Sequence, residues 1–290
     1  MSKCNLCPRN CGAERNNREG KGACKSPSLP WLARAGLHFG EEPFISGKKG
    51  SGTIFFSGCS LGCVFCQNAD ISQKHIGKTV SVARICEIIK DLEQQGAANI
   101  NFVTPTHYID KIEEALNLYK PKIPTIYNSS GYDLVSTIKK DIFDVYLFDL
   151  KFFSREKSIR YANCSDYFEI ASKVIKTAVS IKGKPRFDTN GLITSGVVVR
   201  HLALPQGTNE AINIINWLEI NAPDIIFSLM SQYVPMHKAN MFKEINRKIT
   251  KREYDKVCEH CFDKSFADVY FQSLKSSTTE YLPKFDLSGI

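Results

Sequence analysis

Gly58-Cys59-Ser60-Leu61-Gly62-Cys63-Val64-Phe65-Cys66-Gln67-Asn68 places three thiols at C-x3-C-x2-C spacing in one tight loop. The loop directly follows the strand-like run Thr53-Ile54-Phe55-Phe56. No fourth cysteine lies nearby; the next, Cys86, falls inside a helical pattern. A structural zinc or a fully ligated iron–sulfur cluster takes ~4 protein ligands. Three thiolates leave one metal position open, and an open position is where chemistry happens. The plainer alternative is a three-cysteine zinc knuckle that borrows a fourth ligand from far away in the chain.

With 290 residues the chain has room for one large α/β domain or two ordinary ones. Apolar residues make up 43% and charged residues 23%, the balance of a globular chain with a sizeable core. No apolar run approaches the ~20 residues of a membrane helix. Met1-Ser2-Lys3-Cys4 lacks the apolar core of a signal peptide, so the expected compartment is the cytoplasm. Eleven cysteines fit a reducing compartment if they are metal ligands, and seven of them lie within the first 66 residues. The formal charge of +8 is spread in short pairs such as Lys48-Lys49 and Lys139-Lys140. That pattern is a solvated surface without the aromatic–basic stripe of a nucleic-acid binder.

Residues 1–50 are rich in cysteine and glycine with little periodicity, and are expected to form a Cys-rich metal-binding segment. From Thr53 onward short β runs at 53–57, 99–103, 125–128, 144–150, 196–204, 224–229 and 268–274 alternate with helical patterns. The helical patterns cover 80–95, 108–119, 134–139, most of 155–182, 209–220 and 250–262. In the first of them Val82, Ile85, Ile88, Ile89 and Leu92 share one face. Such alternation argues for a parallel sheet with crossover helices. Six or seven units fall short of the ~8 strands of a closed barrel. The expected fold is therefore α/β, an open, partial parallel β/α barrel of about six units over 51–275, followed by a tail over 276–290.

Function in a parallel barrel collects at the loops after the strand C-termini, and the informative residues obey that rule. Thr104-Pro105-Thr106-His107 follows the second strand, Asn128-Ser129-Ser130-Gly131-Tyr132 the third, and Asp149-Leu150-Lys151 ends the fourth. Arg200-His201 lies on the fifth and Ser231 to His237 follows the sixth. On these motifs the chain resembles the radical S-adenosylmethionine (SAM) superfamily, and within it the proteins related to pyruvate formate-lyase activating enzyme. The resemblance runs from Cys4 to about Gln272, and is sharpest over Cys59–Asn68. It is closest to a branch with an extra Cys-rich segment at the N-terminus.

The resemblance implies that Cys59, Cys63 and Cys66 hold a catalytic [4Fe-4S] cluster whose open iron grips the methionine end of SAM. Reductive cleavage of SAM would then yield a radical that abstracts hydrogen from substrate. It also implies cofactor contacts at Phe65, Ser129, Asp149, Lys151, Arg200 and His237. Phe65 would lie near the adenine, or simply pack over the cluster. Lys151 would pair with the SAM carboxylate, or with Asp149 alone, since alternate residues share a face on a strand. Arg200, costly to bury unpaired, would meet that carboxylate or Asp149. His237 would sit near SAM or in a solvated loop, and His107 would be a ligand contact or a helix cap. One departure stands out: the activating enzymes end the second strand in a Gly-Gly-Glu motif that grips the SAM amino group, and residues 96–104 hold no carboxylate. Asn101 and Thr104 are left to accept that hydrogen bond, without the strength of a charged acceptor.

The N-terminal thiols Cys4, Cys7, Cys11 and Cys24 follow C-x2-C-x3-C-x12-C. Four ligands imply a closed, structural site, for zinc or a second iron–sulfur cluster. Cys258 and Cys261, spaced i, i+3 on a helical pattern, read as core packing ahead of a metal site. Gly47 to Thr53 looks like a phosphate loop but lacks the lysine before Ser or Thr and precedes a strand. The expected function is radical SAM chemistry fed by a flavodoxin or ferredoxin, with a glycyl radical enzyme as the activated partner. The alternatives are a peptide or small-molecule substrate or, from another class, a zinc-stabilised nucleic-acid-binding module.

Overall fold

A computed structural model describes residues 3–278 and 282–290. Its strands are β1 Trp31–His38, β2 Ser51–Phe56, β3 Lys78–Thr79, β4 Ile100–Val103, β5 Thr125–Ser129, β6 Val145–Asp149, β7 Arg186–Phe187, β8 Ile193–Leu202, β9 Ile226–Met230 and β10 Asp268–Phe271. They join in one sheet in the order β10-β9-β8-β6-β5-β4-β2-β1-β3, with β7 paired to β8. From β2 to β10 every neighbouring pair along that order is parallel, whereas β1 meets both β2 and β3 antiparallel. From β2 to β10 the order never reverses, so the parallel part curls in one sense into an open barrel, with the sheet's edges at β3 and β10.

The helices are α1 Pro43–Ser46, α2 Ala69–Ser72, α3 Val82–Gln94, α4 Ile109–Leu118, α5 Arg155–Ala162, α6 Tyr167–Lys182, α7 Thr208–Asn221 and α8 Lys251–Cys261. Ile85, Ile88, Ile89 and Leu92 of α3 pack with Ile112 of α4, Val174 of α6 and Ile214 of α7 in the large core outside the sheet. Strands covered on both faces read as apolar runs, as in Val145–Asp149 and Ile226–Met230. A second core lies inside the curve. There Phe44 and Ile45 of α1 meet Ile126, Val145, Leu147, Val198 and Ile226, so the β1–β2 connection plugs the strand N-terminal end of the barrel.

Two local expectations change, at 31–38 and 134–139, and the mostly helical reading of 155–182 holds with a break. Within 1–50, read as lacking periodicity, residues 31–38 form β1; a register shift between Leu32 and Arg34 breaks the alternation that would have shown it. The 155–182 stretch is two helices, because Asn163 takes a left-handed conformation (φ 47°) that ends α5. The expected helix at 134–139 is a single 3₁₀ turn, Val135–Thr137, whose threonine hydroxyl donates to the Leu134 carbonyl.

Candidate active site

The loop after β2 leaves the sheet at Gly58 and carries its thiols over the strand C-termini. Cys59, Cys63 and Cys66 all line one cavity of ≈ 230 Å³. Thr104, Ser129, Asp149, Lys151 and Arg200 line the same space. Thr104 reaches it with φ 61°, a costly backbone for a β-branched residue that recurs at functional sites. Phe65 forms part of the wall and is held edge-on by the rings of Phe152, Tyr161 and Tyr233 at 5.9–6.2 Å.

A buried charge network crosses the cavity. The Arg200 Nε donates to Asp149 Oδ1 at 2.7 Å, Nη1 to Glu41 Oε2 at 2.8 Å and Nη2 to Asn128 Oδ1 at 3.1 Å. Glu42 Oε2 lies 3.6 Å from the same guanidinium, and its other oxygen accepts from the Ser228 hydroxyl at 3.0 Å. Lys151 Nζ donates to Asp149 Oδ2 at 3.0 Å. Burial pushes the Asp149 carboxyl up, but Arg200 and Lys151 outweigh it and hold the group at about 2. Burial likewise raises Glu42, against the opposing pull of Arg200. For Lys151 burial works against the charge, yet Asp149 and the thiols of Cys63 and Cys66 raise it above its usual range. The ammonium therefore stays charged beside the cysteine loop.

Cys59 and Cys63 are pushed up to about 12, chiefly by burial. Such thiols become thiolates only when a cation compensates them, which is what metal ligation supplies. The soft three-sulfur donor set, its one-sided placement on a cavity and the adjacent Lys151 fit an iron–sulfur cluster with an open position. Among the described residues no three His, Cys, Asp or Glu side chains already stand at metal-binding spacing.

Other expected residues lie elsewhere. Asn101 is buried beneath the cavity, where its amide donates to Glu41 Oε1 at 3.2 Å. His237 does not line the cavity; its Nε2 pairs with Gln73 Oε1 at 3.1 Å. His107 is buried with Nε2 against the Ser57 carbonyl at 2.8 Å, a support for the cysteine loop from behind. Ser129 reaches the cavity, yet its hydroxyl is spent on buried Asp133, which also accepts from Thr106 and Tyr127. Cys261 is buried in the outer core, as its packing reading requires.

Sequence reasoning missed Glu41, which lines the cavity floor, and the tail residues Leu282 and Pro283, which form a wall. The unmet need of Arg200 for acidic partners was the available signal for Glu41. Nothing in the tail's composition announced its place.

An open parallel barrel with a three-thiol loop over its strand C-termini defines a class of cluster-dependent enzymes. The chain belongs to the radical SAM superfamily, whose family model matches residues 53–212. It is 31% identical to the uncharacterized protein MJ0674 of Methanocaldococcus jannaschii over 271 residues, 89% of this chain and 74% of that one. In fold it is similar to Streptococcus suis SuiB, solved with its precursor peptide SuiA, at a TM-score of 0.51 and 14% identity over 74% of this chain. SuiB solved with SAM gives the same TM-score at 12% identity. The chain spans about half the length of SuiB, 46–48%. Membership implies a [4Fe-4S] cluster and SAM, and leaves the zinc-stabilised nucleic-acid module without support. The narrower kinship with pyruvate formate-lyase activating enzyme rests on the motifs alone. Among the described residues no helix is long and apolar enough to cross a membrane.

Proposed function

We propose that Cys59, Cys63 and Cys66 hold the cluster and that the cavity presents SAM to it, so that hydrogen is abstracted from a second substrate. Held by these three thiols, the cluster would supply a low-potential electron and a coordination position free for SAM. Lys151 offers its remaining N–H donors to the methionine carboxylate while Asp149 fixes its position. Arg200 is saturated by Asp149, Glu41 and Asn128, so it acts by keeping Asp149 ionised and aimed. Phe65, locked among three rings, is a rigid apolar platform suited to adenine, and Leu61 and Met230 help to keep water from the reacting atoms.

One observation carries this reading: three thiols and the Asp149–Lys151 pair face a single cavity at the strand C-termini. For the hydrogen donor we put forward a glycine of a partner protein, as the resemblance to the activating enzymes implies, with a flavodoxin or ferredoxin as electron source. A peptide or small molecule is the second reading, favoured by the wall that Leu282 and Pro283 add to the cavity.

The test is anaerobic incubation of iron- and sulfide-loaded protein with dithionite and SAM. 5′-Deoxyadenosine and methionine should form, and Lys151→Met should weaken SAM binding at least tenfold, the loss of one charge-assisted contact worth ~1.5–3 kcal/mol. A fully loaded protein that leaves SAM intact ends this reading.

A further inference from the structure

The segment before β1 is ordered without a core of its own. Between residues 3 and 30 the only large aliphatic side chains are Leu6 and Leu29, and neither is fully buried. Its buried positions are Cys7, Cys24, Ser26, Pro27 and Pro30. A stretch this short and this polar needs a staple, either a disulfide or a metal. All four of its cysteines are free thiols, so no disulfide supplies one.

The backbone instead folds around the sulfurs. Asn10 N–H donates to the Cys7 carbonyl and Lys25 N–H to the Gly22 carbonyl, both at 3.0 Å, and each turn closes on a residue with positive φ (40° and 53°). The two turns meet where a Cβ on Gly22 would stand 3.0 Å from Cys11 Sγ. The amides of Ala13 and Ala23 point at the sulfur of Cys11, and that of Arg9 at the sulfur of Cys7. Cys4, Cys11 and Cys24 are all within electrostatic range of Cys7.

The same segment grips the first cysteine loop from both flanks. Gly58, at φ 88°, lies so close that a Cβ would come within 2.1 Å of Ser26 Oγ and 3.0 Å of the Cys24 carbonyl oxygen. Arg9 Nε donates to the Ser60 carbonyl and its Nη1 to that of Asn163, each at 2.8 Å. Arg15 Nη1 donates at 2.8 Å to the carbonyl of His107, the residue whose ring backs Ser57.

We infer that Cys4, Cys7, Cys11 and Cys24 form a closed tetrathiolate metal centre that clamps the loop of Cys59, Cys63 and Cys66 in place. The ligand chemistry is soft and tetrahedral, met by zinc or by iron. Among the described residues no three potential ligands stand at metal-binding spacing, here or at the loop thiols. With the centre loaded, Ser26 and the two arginines are anchored and the loop is held. When it is empty, a coreless segment has nothing to hold them with.

The clamp is tested first in full-length Cys59→Ala/Cys63→Ala/Cys66→Ala protein, where SAM chemistry plays no part. Cobalt(II) should bind at one equivalent with the intense visible bands of a tetrahedral thiolate site, and Cys11→Ser added to that background should abolish them. Metal analysis of oxygen-free wild-type protein then separates zinc from additional iron and sulfide. In the chain with its loop cysteines intact, Cys7→Ser should raise the rate at which a chelator strips iron from the loop at least fivefold, while Cys258→Ser should not. Circular dichroism confirms that the barrel remains folded in each variant. Absence of cobalt binding in the triple variant overturns the site, and an unchanged stripping rate in Cys7→Ser overturns the clamp.

Discussion

Arg200 reads in sequence as a cation in search of a partner, and the structure gives it Asp149, Glu41 and Glu42 together. The need was visible from burial chemistry, but the partners were not, because they sit 51, 159 and 158 positions away and only the sheet brings them in. The two buried histidines carry a pH consequence. Burial pushes His201 down to about 4 and His107 to about 3 from an ordinary 6.5, against the pull of the Leu150 and Ser57 carbonyls they bond. Below pH 6.5 the unfolded chain takes up protons that the folded chain refuses, so their contribution is whole above that pH and falls as pH drops toward 4. Each histidine removes roughly 3 kcal/mol of stability by the lower end of that window. Urea midpoints should fall steadily from pH 7 to pH 5, and His201→Gln should flatten the slope. An unchanged slope in the variant means that His201 titrates normally in the folded chain.

At the scale of elements, strong periodicity was legible and weak periodicity was not. α3 shows its buried stripe in the sequence because one face carries nearly all its contacts. β1 hides behind a register irregularity, and it is also the strand whose outer edge β3 covers only at Trp31 and Leu32. Residues of the C-terminal tail take the rest of that edge: Leu287 N–H donates to the Ala33 carbonyl at 3.2 Å and Ala35 N–H to the Ser288 carbonyl at 2.9 Å. Gly289 makes this possible, since at φ 76° a Cβ would strike the Ala35 carbonyl oxygen at 2.1 Å. Gly289→Val should release the tail, raising hydrogen exchange at the Ala35 amide at least tenfold with little change in the thermal midpoint. Full protection of that amide in the variant contradicts the contact.

For the molecule as a whole, the open barrel is closed by parts of the chain that carry no barrel pattern. The β1–β2 connection fills the strand N-terminal end with Phe44 and Ile45. At the opposite end Leu282 and Pro283 wall the cavity, and Phe285 packs edge-on against Phe55 at 5.4 Å. Ending the chain after Ser276 removes that wall and uncovers Phe55, at a cost of roughly 2 kcal/mol for one large apolar contact. In metal-free protein, Cys59, Cys63 and Cys66 should then react with an alkylating reagent several-fold faster, read peptide by peptide in a mass spectrometer. Equal rates in the full and shortened chains mean that the tail does not shield the cavity.

The sequence by itself determined what depends on neighbours along the chain. Three thiols seven positions apart from first to last must share a loop wherever that loop lies, and the alternation of β and helical periods forces a parallel sheet. Tertiary structure alone decided what depends on strand register: that Glu41 and not a residue of β4 faces Arg200, that His237 turns to Gln73, and that Ser26 and the Cys24 carbonyl press on Gly58. Covalent spacing is written in every short window of residues. A contact between distant residues is settled only when whole faces compete to bury apolar surface, and no window contains that competition.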